Sequence, residues 1–395
     1  MKMKKRGRRL LSLILCMTMF LLALAACGNT KRASIETQPA QTKKTETSAE
    51  TQPETKASES QNEAKGETFI FTDSTGREVE LPKEIKKVAC GGPLANIMIY
   101  AVKPEVIVGW SSAPSETAKK YIDEKYWDLP EYGKFYDNSE DFNREALMAS
   151  APDVIIDVGE WDEDYKADLD TLQEQIGIPV ILVEANLEQN PSAYRTIGEL
   201  LGDTERGEAL ASYCEDVLKD AKEKAASIPE NERKRVYYGE GETGLSTILS
   251  GTIHSQIYEL VGAEIVVNPD NAQVQQGGGT ISMEQLMAWD PDVIMFVKGS
   301  IYDSVADDPS WNALTAVKNG TYYEIPTEPY NWLGRPPGPN RMLGVRWLGN
   351  LLYPEVFNYD IQQEVKDFFS LFYRYDLTDE EVQTMLAKST LKNTK

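Results

Sequence analysis

Two α/β lobes joined by a single long helix, with a ligand cleft between them, is the fold class this sequence predicts, and three observations predict it. The first is a duplication: Glu284 to Met295 reads EQLMAWDPDVIM, and Glu145 to Ile156 reads EALMASAPDVII. Both copies run Glu, any residue, Leu, Met, Ala, two residues, then Pro, Asp, Val, Ile and a last apolar residue, without a gap. The second is an alternation of short apolar runs with helical stretches around each copy. The third is a strand-free helical stretch between the copies, Pro191 to Leu201 and then Thr204 to Ala226. In each copy the Leu and Met sit about one helical turn past the Glu, the Pro ends the helix, and the Val-Ile run reads as a buried parallel strand. A helix-to-strand unit repeated about 139 residues apart makes two similar lobes and puts the function between them.

The chain begins with Lys2, Lys4, Lys5, Arg6, Arg8 and Arg9 ahead of an apolar run from Leu10 to Ala23. At about 14 residues the run is short for a membrane span, and it ends in Leu24-Ala25-Ala26-Cys27. This resembles the bacterial lipoprotein signal, which implies removal of 1–26 and lipid modification of Cys27. Cys16 leaves with the signal, so Cys90 and Cys214 are expected as two packed, free thiols, a disulfide between them staying open in an oxidising compartment. From Gly28 to Lys65 the composition is Thr, Glu, Gln, Ser and Lys, too polar to offset its ordering entropy, so residues 27–66 are read as a disordered, lipid-anchored tether. The whole chain carries 41 basic and 63 acidic side chains, a net charge of −22, and loss of the six basic signal residues makes the mature charge about −28. That balance argues against nucleic acid as a partner.

The folded part opens with a hairpin, Thr68 to Phe71 and Arg77 to Leu81, around Asp73-Ser74-Thr75-Gly76. A first lobe (67–190) then alternates: strand Lys87 to Cys90, helix Pro93 to Tyr100, strand Val106 to Gly109, the first repeat copy, helix Asp164 to Gln175, strand Val180 to Val183. The helical stretch follows as the interlobe backbone (191–229), with Leu210, Tyr213, Cys214, Val217 and Ala221 on one face and Pro229 as its stop. Twenty-odd helical residues span about 30 Å, a rigid strut. The second lobe (230–388) repeats the alternation: strand Arg235 to Tyr238, a helix beginning near His254, strand Glu264 to Val267, the second copy, and strand Thr321 to Ile325. It finishes in helices from Asn340 onward. Both lobes therefore read as Rossmann-like parallel units.

Lipobox, tether, two α/β lobes, one long helix and a twinned Glu-helix-Pro-Asp-strand motif together resemble a substrate-binding lipoprotein of an ABC importer. More narrowly, the chain resembles the helical-backbone class that captures iron-siderophore complexes, haem or cobalamin. The resemblance implies a monomer without a cofactor, held at the extracytoplasmic face of the cell membrane, that takes a small-molecule metal chelate and delivers it to a permease dimer and its ATPase. It further implies that Glu145 and Glu284 dock on arginine pockets of that permease. Exposed carboxylates at two spaced points suit such a role, and a helix N-terminal acid stabilised by the dipole is the structural alternative. A molybdate or tungstate binder of the same fold, and a ligand-sensing lipoprotein without transport, are the other readings.

The ligand is expected where strands of both lobes end. This picks out Gly91-Gly92-Pro93, Trp110, Glu160, Trp161 and Glu184 from the first lobe, and Tyr238, Glu240, Lys298 and the run after Ile325, including Trp332, from the second. Trp110 and Trp161 are the wall candidates, with a place in the core as the alternative for each. Asn331 to Asn350 reads NWLGRPPGPNRMLGVRWLGN, in which Asn340 is a candidate cap. A rigid Pro-rich loop that sets Arg335 and Arg341 near a helix start is an anion receptor, unless the arginines tie down the C-terminal helices. His254, the one histidine, is a candidate to touch a chelated metal, but one histidine does not make a dedicated zinc or manganese site. Gly277-Gly278-Gly279 reads as a loop and lacks a nucleotide-binding pattern, and the absence of GxSxG and HExxH motifs argues against an enzyme.

Overall fold

The repeated Pro-Asp pairs explain how each lobe is assembled. The computed structural model describes residues 67–133, 135, 142–270 and 278–391; the signal, Cys16, Cys27, the tether and Gly277 lie outside them. The hairpin strands are β1 (Thr68–Thr72) and β2 (Glu78–Pro82), and the first lobe follows with β3 (Val88–Cys90), α1 (Pro93–Val102), β4 (Ile107–Gly109), α2 (Glu116–Lys119), α3 (Arg144–Ser150), β5 (Val154–Gly159), α4 (Glu163–Ile176) and β6 (Val180–Glu184). After the helices α5 (Asn190–Leu200) and α6 (Thr204–Ala225) come β7 (Arg235–Gly239), β8 (Ser246–Thr247), α7 (Gln256–Leu260), β9 (Glu264–Ile265), β10 (Gly279–Thr280), α8 (Met283–Trp289), β11 (Val293–Phe296), α9 (Thr315–Lys318) and β12 (Tyr322–Glu324). The chain closes with α10 (Asn340–Leu352), α11 (Pro354–Phe357), α12 (Ile361–Tyr373) and α13 (Asp379–Leu386).

Both four-stranded sheets are parallel, in the orders β4-β3-β5-β6 and β9-β7-β11-β12. Numbered within its lobe, each sheet runs second, first, third, fourth, so the sequence duplication is a duplication of topology. In each copy a left-handed residue, Ala151 (φ 45°) or Asp290 (φ 40°), stops the helix one residue before the proline. The next residue turns its carboxylate onto the start of the lobe's first strand. Asp153 accepts from the N–H groups of Lys86 at 2.8 Å and Lys87 at 2.9 Å, and Asp292 accepts from Arg235 N–H at 2.8 Å. The backbone replies, with Asp153 N–H to Lys87 O at 2.9 Å and Asp292 N–H to Arg235 O at 2.8 Å. The helix-strand unit is thereby pinned to its neighbour in register.

Three expectations change. The strut is a pair of helices: Gly202, at φ 68°, and the N-cap Asp203 break the stretch, so that α5 folds back on α6. Their crossing is close enough that a Cβ on Gly198 would lie 2.8 Å from Gly207 Cα. The glycine loop ends in β10, which pairs antiparallel with β8. Asn340 is the first residue of α10 and Pro339 precedes it as the cap, because the Asn340 side chain is engaged by Tyr330 O and the Tyr373 hydroxyl. Cys90 and Cys214 are free and buried, and burial pushes both thiols up.

The terminal helices bind back to the first lobe as well as the second. The Arg374 guanidinium donates to Tyr100 O and Val102 O at the end of α1, and Arg206 on α6 donates to Ala101 O. Asp220 on α6 gathers Lys224 at 3.0 Å, Arg346 of α10 and the Tyr359 hydroxyl. Burial raises the Asp220 carboxyl, but Tyr359, Lys224 and Arg346 lower it further, and the net direction is down from 3.8. A lowered native value means stability that is present above the unfolded pKa and lost as the pH falls through the native one. Asp220→Asn is therefore expected to cost about 1–2 kcal/mol in urea unfolding at pH 7. The gap from wild type should close as the pH drops below 3.8.

Candidate functional site

The loop between β12 and α10 carries the candidate residues Trp332 and Arg335, and α10 explains its position. A Cβ on Gly344 of α10 would lie 2.0 Å from Trp332 O, so only glycine lets the loop lie down on the helix. Trp332 is fully buried there, its indole N–H donating to Glu328 O at 2.8 Å and its ring edge-to-face on Trp347. It anchors the loop and does not line the cleft. Trp110 is likewise a core residue, 1% exposed, with its N–H on Tyr126 O at 2.8 Å and its ring beside Tyr100. Strand-end position alone does not say which way a side chain turns, and both tryptophans turn inward to satisfy their N–H groups.

Past Trp332 the loop spans the two lobes. Gly334 comes within about 4.0 Å of the Tyr238 hydroxyl, measured from a Cβ built on it, and one built on Gly338 would lie 3.5 Å from Ile97 of α1. Arg335 is the exposed arm: 57% of its side chain is accessible, and its guanidinium stands 3.7 Å from Glu240 at the end of β7. Beneath it Tyr238 is buried, its phenol pushed up by burial and by Glu240. Half-buried His254 is pushed below 6.5, first by burial and then by Arg335 and Arg341, so it is neutral at pH 7.

Arg341 lies underneath. It is fully buried and donates to Ile253 O at 2.8 Å, with Gln256 Oε1 at 3.5 Å. Among the described residues it has no carboxylate within ion-pair distance, its Nε–H has no partner, and the buried Tyr258 hydroxyl has none either. Burial pushes Arg341 down to about 10, and Glu160 of the other lobe acts on it in the opposite direction. As a direct ligand arm Arg341 is thus corrected: it positions the Ile253-His254 segment and sets a positive charge under the cleft floor.

Opposite stands an open pocket of about 420 Å³, lined by Gly92, Pro93, Asp157, Glu160, Tyr165 and, from the loop, Pro336 and Pro337. Glu160 is exposed at its rim. Asp157 is its buried acid, raised by burial, accepting from Val158 N–H at 2.8 Å and from the Tyr165 hydroxyl. It went unremarked in the sequence, although an Asp inside the apolar run VIIDVG was a usable signal. Trp161 is half-buried against the same apolar cluster as Tyr165, and Lys298 is exposed after β11 without an ion pair among the described residues. The structure therefore brings together Arg335, His254, Tyr238, Glu240 and, by its charge, Glu160, above Arg341. Among the described residues no group of three or more His, Cys, Asp or Glu side chains converges to hold a metal ion.

Because His254 is the only histidine, its ring resonance reads the cluster directly. Its NMR titration midpoint is expected below 6.5, and Arg335→Ala should move it upward by removing one of the two repelling charges. A midpoint unmoved by the substitution would separate His254 from Arg335.

The profile of the family described as Periplasmic binding protein matches residues 90–329, from the end of β3 to the loop beyond β12. The chain is 24% identical over 311 residues to an uncharacterised ABC transporter substrate-binding lipoprotein of Bacillus subtilis, YvrC, covering 76% of this chain and 92% of that one. It is 26% identical over 187 residues to the Fe(3+)-citrate-binding protein YfmC of the same organism, covering 46% and 56%. Among solved structures, an ABC transporter solute binding protein from Sulfurospirillum deleyianum superposes with a TM-score of 0.73 at 32% identity, over 80% of this chain and 99% of that one. With the profile covering more than half of the chain and running through both parallel sheets, the chain belongs to the periplasmic binding protein family, the substrate-binding components of ABC importers.

Proposed function

We propose that this protein captures an anionic metal chelate, a ferric carboxylate or siderophore complex before haem or cobalamin, and hands it to a membrane permease. The observation that carries the reading is Arg341, a buried guanidinium with no carboxylate beside it among the described residues, under an exposed Arg335. A charge left unpaired in a protein interior is costly unless a counter-charge arrives, and in a chain of net charge −22 that local excess selects an anion. The Fe(3+)-citrate-binding relative supports the same class of cargo. Arg335 supplies a planar fork of donors for carboxylate oxygens, and neutral His254 offers a ring nitrogen beside it. The role is one of binding rather than catalysis.

The delivery half of the proposal uses Glu145 and Glu284. Both are exposed in the first turn of the duplicated helices α3 and α8. The Glu284 carboxyl is lowered by its own backbone N–H and by Ser282, which keeps it charged. Lipid attachment at Cys27 would hold the protein beside its permease at the extracytoplasmic face, as the lipoprotein relative implies. Among the described residues no helix is long and apolar enough to cross a membrane.

Thermal-shift and calorimetric titration with ferric citrate, ferric hydroxamates, haem, cobalamin, molybdate and tungstate test the cargo. A ferric chelate is expected to raise the unfolding midpoint by mass action. A shift with the bare oxyanions alone would overturn the chelate reading. Arg335→Ala is expected to weaken chelate binding by about 2 kcal/mol, while Glu240→Gln, which frees Arg335, is expected to tighten it. In whole cells, Glu145→Lys with Glu284→Lys should abolish uptake of the bound chelate and leave its affinity in solution unchanged.

A further inference from the structure

The duplicated helices share more than their glutamates. Four large hydrophobic side chains are exposed among the described residues, and two of them are Met148 at 49% and Met287 at 39%, the same position of the two repeat copies. Each follows its glutamate by three residues, and each is followed by an exposed alanine, Ala149 or Ala288. On a helix, residues three and four apart stand one above the other, so each lobe presents one surface strip of carboxylate, thioether and methyl. Packing does not require the methionines, because the neighbouring Leu147 and Leu286 fill the core and are fully buried. Two unrelated accidents would not leave the same apolar residue in solvent at the same register of both copies.

We infer that Met148 with Ala149, and Met287 with Ala288, are the apolar halves of two equivalent docking knobs whose charged halves are Glu145 and Glu284. The occupant is the permease dimer. A strip repeated twice in one chain fits a partner that offers the same receptor surface twice, as two identical subunits do. Each receptor has a basic side chain for the glutamate and an apolar pocket for the methionine. The glutamate orients the encounter and the methionine, unbranched and polarisable, fills an imperfect pocket once water is expelled. This inference rests on the docking role proposed for the two glutamates.

Binding of the full chain to its permease–ATPase complex in nanodiscs, measured by surface plasmon resonance at low and high salt, tests it without any cargo. Met148→Gln with Met287→Gln keeps helix propensity and is expected to weaken binding about tenfold, equally at both salt concentrations, with an unchanged melting temperature. Met148→Leu with Met287→Leu, which keeps the apolar surface, is expected to stay within about twofold of wild type. Glu145→Gln with Glu284→Gln should weaken binding and remove its salt dependence. If the glutamine-for-methionine variant binds like wild type while the glutamate variant does not, the inference fails and the docking role stands. If neither variant loses binding, the docking role itself is wrong and the inference falls with it.

Discussion

Two carboxylates, Asp153 and Asp292, hold the architecture together. Each reaches from the turn between a repeated helix and its strand to the backbone N–H at the start of the lobe's first strand. The left-handed residue and the proline before each aspartate leave the chain no other way to enter the sheet. Register follows from these contacts, and register decides which residues stand at the carboxyl edges of the strands. Glu240 and Glu160 are at that edge because β7 and β5 are pinned at their other ends.

A second constraint is energetic. Arg341 keeps its charge in the interior at the expense of solvation, which burial records as a pKa pushed down to about 10. The protein tolerates this because α10 is clamped around it by α6 and α12, through Asp220, Arg346 and Tyr359 on one side and Tyr373 with Asn340 on the other. The helix cannot turn the guanidinium out to solvent without breaking those contacts. Stability in the helical layer is thus spent on a positive potential under the cleft.

Much of this was legible in the sequence, and the reasons for the rest are physical. Strand and helix positions came through to within one or two residues in most elements, because β-branched runs, prolines and glycines act locally. The direction of a side chain at a strand end is set by distant partners, and for Trp110 those are Tyr126 and Tyr100. Arg341 was readable in principle: NRMLGVRWLGNLL is apolar around most of its circumference, the mark of a buried helix, and a buried helix buries its arginine. The repeat gave its leucine and methionine equal weight, whereas a helix turns about 100° between them and sends only the leucine inward.

The contact between Arg335 and Glu240 makes binding at this site an exchange of one anion for another. An incoming ligand does not meet a bare guanidinium in water. It displaces a carboxylate tethered nearby at an effective concentration of order millimolar or above. A monovalent ion can offer Arg335 no more charge than Glu240 already does. A ligand with several negative oxygens can, since it engages Arg335 and the field of Arg341 together. On the proposed role, Glu240 is the competitor that every anion reaching Arg335 has to displace.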